Sequence, residues 1–281
     1  MAGDGWTIGS LARRALRRLR WTVRRDPRTT TLHYSNLDEE GIIQRSLSQI
    51  GVTSRFCVDI AASDGTTMSN TYPLFRDGWA GVAVECDPAK FSKLAVQYAC
   101  FASVDLMKCM VTPDNVTALL EVSSTPREFG FLNLDIDGYD YFVLERILHR
   151  YRPRLICVEI NEKIPPPLKF TVRWDPRYVW AGDHFYGASI SKMYELCVAH
   201  HYALTELHYN NAFLVPEELS FGTSLTPEQA WCDGYRDKPD RREKYPWNAN
   251  MDDLLAMTPA DAIAALHERF RDREGMYDLS L

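Results

Sequence analysis

The stretch "RFCVDIAASDGTTMSNTYPLFRDGWAGVAVECDP", residues 55–88, decides the fold. Residues 56–60 are a short apolar run that carries one acid, Asp59. "AASDG" follows as a polar turn. "SNTYPLFRDG" reads as a helix that begins near Ser69 and Asn70 and stops at Gly78. "AGVAVECDP" is a second apolar run, and it ends in Glu85, Cys86 and Asp87. Strand, turn, helix and strand in this order form a βαβ unit, whose two strands lie parallel. Sheets of this kind bind ligands beyond the carboxyl ends of their strands. The residues that follow each strand are therefore the first candidates for function.

An acid at the end of the second strand can accept hydrogen bonds from ribose hydroxyls, and the turn after the first offers backbone N–H groups. Dinucleotide enzymes use the same geometry with a G-x-G-x-x-G turn. Here Ala61, Ala62, Ser63 and Asp64 fill the turn, and only Gly65 remains. Nothing is left to hug a pyrophosphate, so NAD and FAD fit poorly. S-adenosylmethionine, a nucleoside without phosphate, fits better.

Further along, "FLNLDIDGYDYFVLERIL" (residues 131–148) repeats the grammar: an apolar run, then Asp135 and Asp137, then Gly138 and an amphipathic helix. Ionised carboxylates are costly to bury unless paired or bound to a metal. Strand side chains alternate, so the two acids share a face while the backbone stays extended. "RPRLICVEINEKIPPP" supplies a fifth strand over 154–160, which ends among Glu159, Asn161 and Glu162; Glu159 and Asn161 again share a face. Several hard oxygen donors at one sheet edge suit Mg²⁺ or Mn²⁺. Asp135, Asp137, Glu159 and Asn161 are the metal candidates. The alternatives are a metal-free Asp135 that accepts a hydrogen bond from ligand or substrate, and plain capping.

Residues 163–188 are long for a crossover and read as a substrate insertion. His184, the lone histidine there, is the candidate general base, with Lys163 and Tyr186 in reserve. Glu162, Tyr186 and His208 are candidate substrate contacts. Trp174, Tyr178, Trp180, Phe185 and Tyr186 read either as a wall for a sugar face or as packing of the insertion. "YALTELHYNNAFLVP" closes the pattern with strands at 204–208 and 212–215, a terminal hairpin that brings one antiparallel strand into the sheet.

These segments resemble motifs of class I S-adenosylmethionine-dependent methyltransferases, nearest to the FkbM-like branch, whose pattern is VDIGANDG, SN and GW-G-x-x-x-E. The similarity runs over roughly residues 35–216, with Ala61 where the branch often has glycine. The acids after strands four and five also resemble, in part, those of metal-dependent sugar O-methyltransferases. The resemblance implies a Rossmann-like, mostly parallel α/β sheet with helices on both faces. It implies methyl transfer to a sugar or glycan hydroxyl. Carried over by position, Asp59, Ala61, Ser63, Asp64 and Gly65 line the methionine end. Ser69 and Asn70 start the helix beneath it, Glu85 and Cys86 hold the ribose side, and Asp114 meets the adenine amine. An NAD-linked sugar-modifying enzyme and a degenerate methyltransferase-fold scaffold are the rival readings.

Bulk properties bound the rest. The chain has 281 residues, 46% hydrophobic and 25% charged, enough for one large domain with extensions. Seven scattered cysteines without a C-x-x-C fit a reducing compartment. No apolar h-region marks a signal peptide, and the expected location is cytoplasmic. Charge is uneven: residues 1–30 hold eight Arg and two Asp, so the remainder carries −12 against −6 for the whole. Residues 10–25, "SLARRALRRLRWTVRR", read as a basic amphipathic helix capped by Ser10. It suits packing against the domain or a second copy, or peripheral contact with an anionic membrane; nucleic acid is not an expected partner. Three segments follow: a basic extension (1–34), the main domain (35–216) and a helical extension (217–281).

Overall fold

The computed structural model describes residues 34–281. The basic helix read at residues 10–25 lies outside them. The main sheet has seven strands: β1 (Phe56–Ile60), β2 (Ala80–Glu85), β3 (Val104–Lys108), β4 (Glu128–Leu134), β5 (Arg152–Glu159), β7 (Tyr202–His208) and β8 (Asn211–Pro216). Their order is β3-β2-β1-β4-β5-β8-β7. Pairings from β3 through β5 are parallel, and β8 enters antiparallel between β5 and β7. This is the Rossmann-like methyltransferase sheet, with its antiparallel hairpin strand.

Alternation along the strands explains the two faces. Cys57, Ala83, Phe131, Cys157 and Phe213 point to one side. There they pack against α1 (Glu39–Ile50), α2 (Tyr72–Arg76) and α3 (Pro88–Tyr98) through Ile42, Leu47, Phe75, Leu94 and Tyr98. Their neighbours Val58, Val82, Leu132, Ile156 and Leu214 point to the other. They meet α4 (Val116–Val122), α5 (Asp140–Leu148) and α6 (Ile190–His200) through Leu120, Val143, Leu144, Met193 and Leu196. Each such side chain, fully buried, contributes about 1.5–3 kcal/mol of transfer free energy. The apolar runs were legible because both faces of every central strand are covered.

A second, two-stranded sheet pairs β6 (Lys169–Val172) antiparallel with β9 (Tyr277–Ser280). It joins the insertion to the far end of the chain. Phe170, Phe185, Phe270 and Tyr277 cluster there with ring centroids 5.2–6.0 Å apart. The insertion's aromatics are therefore largely spent on packing: Tyr178, Phe185 and Tyr186 are buried, and Trp180 is the exposed one. The C-terminal helix Pro259–Arg269 is capped by Thr258, whose side chain accepts from Asp261 N, and ends before a short 3₁₀ turn. Residues 34–281 fall within one compact unit. No described helix is long and apolar enough to cross a membrane.

Candidate active site

The carboxyl ends of β1 to β4 surround a cleft of about 370 Å³. Its floor is the turn after β1. The backbone N–H groups of Ala61 and Ala62 both donate to the Val84 carbonyl at 3.0 and 2.9 Å, which hangs the turn on β2. Ala61 adopts φ 70° and Ser63 φ 52°. A residue with a Cβ gives up about 1–2 kcal/mol to sit in the left-handed region, so Ala61 holds its methyl on a backbone that favours glycine. Gly65 has φ +86°, and an added Cβ would lie 2.6 Å from Leu94 Cδ1 and 2.7 Å from Tyr98 Cε1.

Of the residues carried over to the nucleoside, Ala61, Ser63, Asn70, Glu85 and Cys86 line the cleft. Glu85, at the end of β2, is 4% exposed. Its Oε2 accepts from Ser63 N at 2.8 Å and its Oε1 from Asp87 N at 2.7 Å. Each oxygen retains a lone pair for a further donor.

Asp59 does not line the cleft. It works from beneath, where Oδ2 accepts from the Thr71 hydroxyl at 2.5 Å and Oδ1 from Asn133 Nδ2 at 3.0 Å. Asn133 Oδ1 accepts in turn from Asn70 Nδ2 at 3.0 Å. Burial pushes the Asp59 carboxyl up to about 6. Asp64 and Ser69 also serve the frame. Asp64 accepts from the N–H groups of Thr66 and Thr67, and Ser69 Oγ accepts from Thr71 N and Tyr72 N where α2 begins.

Asp114 is exposed and outside the cleft wall. The chain turns at Thr112–Asn115, and it is Cys109, Met110 and Val111, just before the turn, that form that wall. Cys109 lies just past β3 in the same wall.

The acidic edge lies where β4 and β5 end. One oxygen each of Asp135, Asp137 and Glu159 falls within 4.8 Å of the others. The strand does not continue as read: β4 stops at Leu134, and Asp137 has φ 53°. The acids converge because Asp140 folds the loop. Its buried carboxylate accepts from Ile136 N at 2.9 Å and Gly138 N at 3.0 Å.

Burial, then the facing acids Asp137 and Asp140, raises Asp135 to about 7. Asp137 is raised by burial, offset by Lys90 and Lys163. Glu159 is raised well above its usual range by burial and by the facing Asp135. Its Oε1 accepts from Asn210 Nδ2 at 3.0 Å, while its buried Oε2 has no partner among the described residues. Such an edge must hold either shared protons or a cation.

The remaining predicted residues are not in the cleft. His184 is half-buried against the C-terminal segment, with Nε2 2.8 Å from Asn250 Oδ1. A general base must reach the reacting proton, so His184 is set aside. His208 has both ring nitrogens engaged, one by the Leu37 carbonyl and one by Lys238 Nζ at 3.5 Å. Glu162 and Tyr186 are closed into a buried network in which Lys163 Nζ reaches Tyr186 Oη at 2.6 Å and Asn248 Nδ2 reaches Glu162 Oε1 at 2.6 Å. Asn161 shares the acidic side but donates its amide to the carbonyls of His184 and Tyr186 at 2.9 Å each. Its Oδ1 is buried without a partner among the described residues.

Asn36, Glu39 and Asn211, which sequence reasoning did not single out, line the cleft beside the acids, as does Asn210, whose place in the turn sequence alone explains by turn chemistry. They come from the approach to α1 and its start, and from the β7–β8 turn. No local pattern in "SNLDEE" or "YNNA" marks them as cleft residues.

A pH effect follows from the acids. Asp59 and Asp140 stand at about 6 and Asp135 at about 7, all above the unfolded value of 3.8. The native state thus binds more protons than the unfolded chain between about pH 4 and 7. Their contribution is fully present below pH 4 and is lost as pH rises through 6–7. The metal-free protein is expected to melt at higher temperature at pH 5.5 than at pH 8. Scanning calorimetry across that range checks it, and a rising melting temperature from pH 5.5 to 8 contradicts it.

No protein-family model matches the chain, and no curated protein matches it either; the FkbM-like resemblance rests on its motif residues. Solved methyltransferase structures do match. The METTL16 methyltransferase domain is 18% identical, covering 48% of this chain and 62% of that one, with a TM-score of 0.31. A methyltransferase from Clostridium acetobutylicum, described as S-adenosylmethionine-dependent, is 8% identical, covering 66% and 92%, at 0.41. A similarly described enzyme from Aquifex aeolicus is 8% identical, covering 64% and 90%, at 0.36.

Proposed function

We propose that this chain transfers the methyl group of S-adenosylmethionine to a hydroxyl oxygen of a polyol such as a sugar, with Mg²⁺ or Mn²⁺ at the acidic edge. The observation that carries this reading is the meeting of three carboxylates: Asp135 and Asp137 line the cleft that also holds Glu85, and the buried Glu159 brings an oxygen within 4.8 Å of theirs. The donor set fits a hard cation: three carboxylate oxygens, one of them a buried Glu159 oxygen without a partner among the described residues. Glu85 suits a ribose, and the absent glycine triplet disfavours a pyrophosphate. Asn36, Glu39, Asn210 and Asn211 offer amide and carboxylate groups suited to several hydroxyls.

S-adenosylmethionine supplies an activated methyl on a sulfonium leaving group. The obstacle is the acceptor, because a sugar hydroxyl stays protonated at neutral pH. Held by Asp135, Asp137 and Glu159, a divalent ion would lower the acceptor's pKa and orient a vicinal diol. Asp135 gives one oxygen to that set and keeps a second to accept the hydroxyl proton, a role worth roughly 10²–10⁴ in rate. The cleft walls hold donor and acceptor in line, which contributes at best about 7–11 kcal/mol.

Calorimetry with S-adenosylhomocysteine, with and without Mn²⁺, tests the reading. Binding of the nucleoside is expected in both, and EDTA is expected to abolish turnover on a sugar acceptor. Heat with NAD but none with S-adenosylhomocysteine overturns the proposal; turnover indifferent to EDTA removes the metal from it.

A further inference from the structure

We infer that Tyr245, from the segment after the main sheet, is a positioning residue for the acidic edge, acting through Asn210; this rests on the proposed reading of that edge. The contact chain is directional. Tyr245 Oη donates to Asn210 Oδ1 at 2.7 Å, and Asn210 Nδ2 donates to Glu159 Oε1 at 3.0 Å. The Asn210 amide has one oxygen and one NH₂ group, so fixing the oxygen on the phenol turns the NH₂ toward the carboxylate. Ile160 N also donates to the Asn210 carbonyl at 2.7 Å, which ties the turn to the end of β5.

Glu159 thus has one oxygen held and the other left without a partner among the described residues, as a ligand to a cation requires. Tyr245 itself is 5% exposed. Burial, with Glu162, Glu39, Glu159 and Asp135 facing it, raises its phenol far above the usual range, so it stays a donor. Its ring rests beside Tyr209, centroids 5.5 Å apart, and the Tyr209 hydroxyl donates to Asp240 at 2.5 Å. The same segment supplies Asn248 and Trp231 to Glu162. Residues beyond the main sheet therefore orient the carboxylates that follow β5.

Partners that orient metal-ligating groups typically change affinity 10–100-fold when removed. The test is Tyr245→Phe in the full chain, which keeps the ring and deletes the donor. Mn²⁺ affinity is read by electron paramagnetic resonance, and S-adenosylhomocysteine affinity by calorimetry. The expected result is Mn²⁺ binding weakened about 10-fold, with nucleoside affinity within error of the parent. Asn210→Ala is expected to lose Mn²⁺ affinity by a similar factor, and the double variant to add little.

Unchanged Mn²⁺ affinity in Tyr245→Phe, with a parent that binds Mn²⁺, overturns the role of Tyr245 alone. A parent that binds S-adenosylhomocysteine but no Mn²⁺ overturns the metal part of the proposed function, and this inference with it. Equal losses in Mn²⁺ and nucleoside binding reduce Tyr245 to a packing residue.

Discussion

Asp135→Asn is expected to lower turnover by about 10³-fold while the melting temperature of the metal-free protein stays level or rises. The two effects have one origin. Asp135 shares a buried edge with Asp137, Asp140 and Glu159, and burial and like charge raise its affinity for a proton. Removing its charge relieves the crowding, so folding gains. The same change deletes the group placed to take the acceptor's proton, a loss of roughly 10²–10⁴ in rate. Stability and activity moving in opposite directions mark a residue kept for chemistry. Steady-state kinetics beside a thermal melt checks it. Activity within threefold of the parent removes Asp135 from the reaction; a collapse in melting temperature recasts it as structural.

Glu85→Ala is expected to weaken S-adenosylhomocysteine binding by about 10–100-fold. A hydrogen bond to a charged group is worth about 1.5–3 kcal/mol, and each 1.4 kcal/mol is tenfold. The loss has a second source. Glu85 also holds Ser63 N and Asp87 N, so its removal loosens the turn that floors the cleft. The effect should fall on KM for the methyl donor more than on kcat. Calorimetry on the variant settles the matter, and a dissociation constant within threefold of the parent takes the ribose away from Glu85.

Much of the fold was legible because its strands are buried on both faces. Runs such as "FCVDI" and "GVAVE" are nearly continuous in apolar character and are stopped by turn residues, so order and direction follow from connection rules. β6 and β9 were not legible. "KFTV" and "YDLS" are four residues each, and they pair across about a hundred residues of chain.

The site divides the same way. Glu85, Asp135, Asp137 and Glu159 could be singled out because strand ends announce themselves in sequence. Yet alternation alone does not bring Asp135 and Asp137 together: Asp137 is left-handed, and Asp140 folds the loop. His184, His208, Glu162 and Tyr186 were misplaced because their surroundings are set by partners at residues 37 and 231–250. No local pattern in the insertion says which of its sides meets them. Asp114 was misjudged for a related reason, since its turn carries it outward while backbone and apolar groups of neighbouring residues make the wall.

The pairing of β6 with β9 also bears on how the chain is made. A nascent chain that has emerged as far as Pro216 already holds all seven strands of the main sheet. It still carries β6 with one flank open, because the strand that covers it, β9, lies about sixty residues further along the chain. An uncovered strand edge is a template for unwanted association. Shielding of that flank until β9 has been made, and rapid capture of residues 277–280 once it has, then become part of what keeps freshly made chains from sticking to one another.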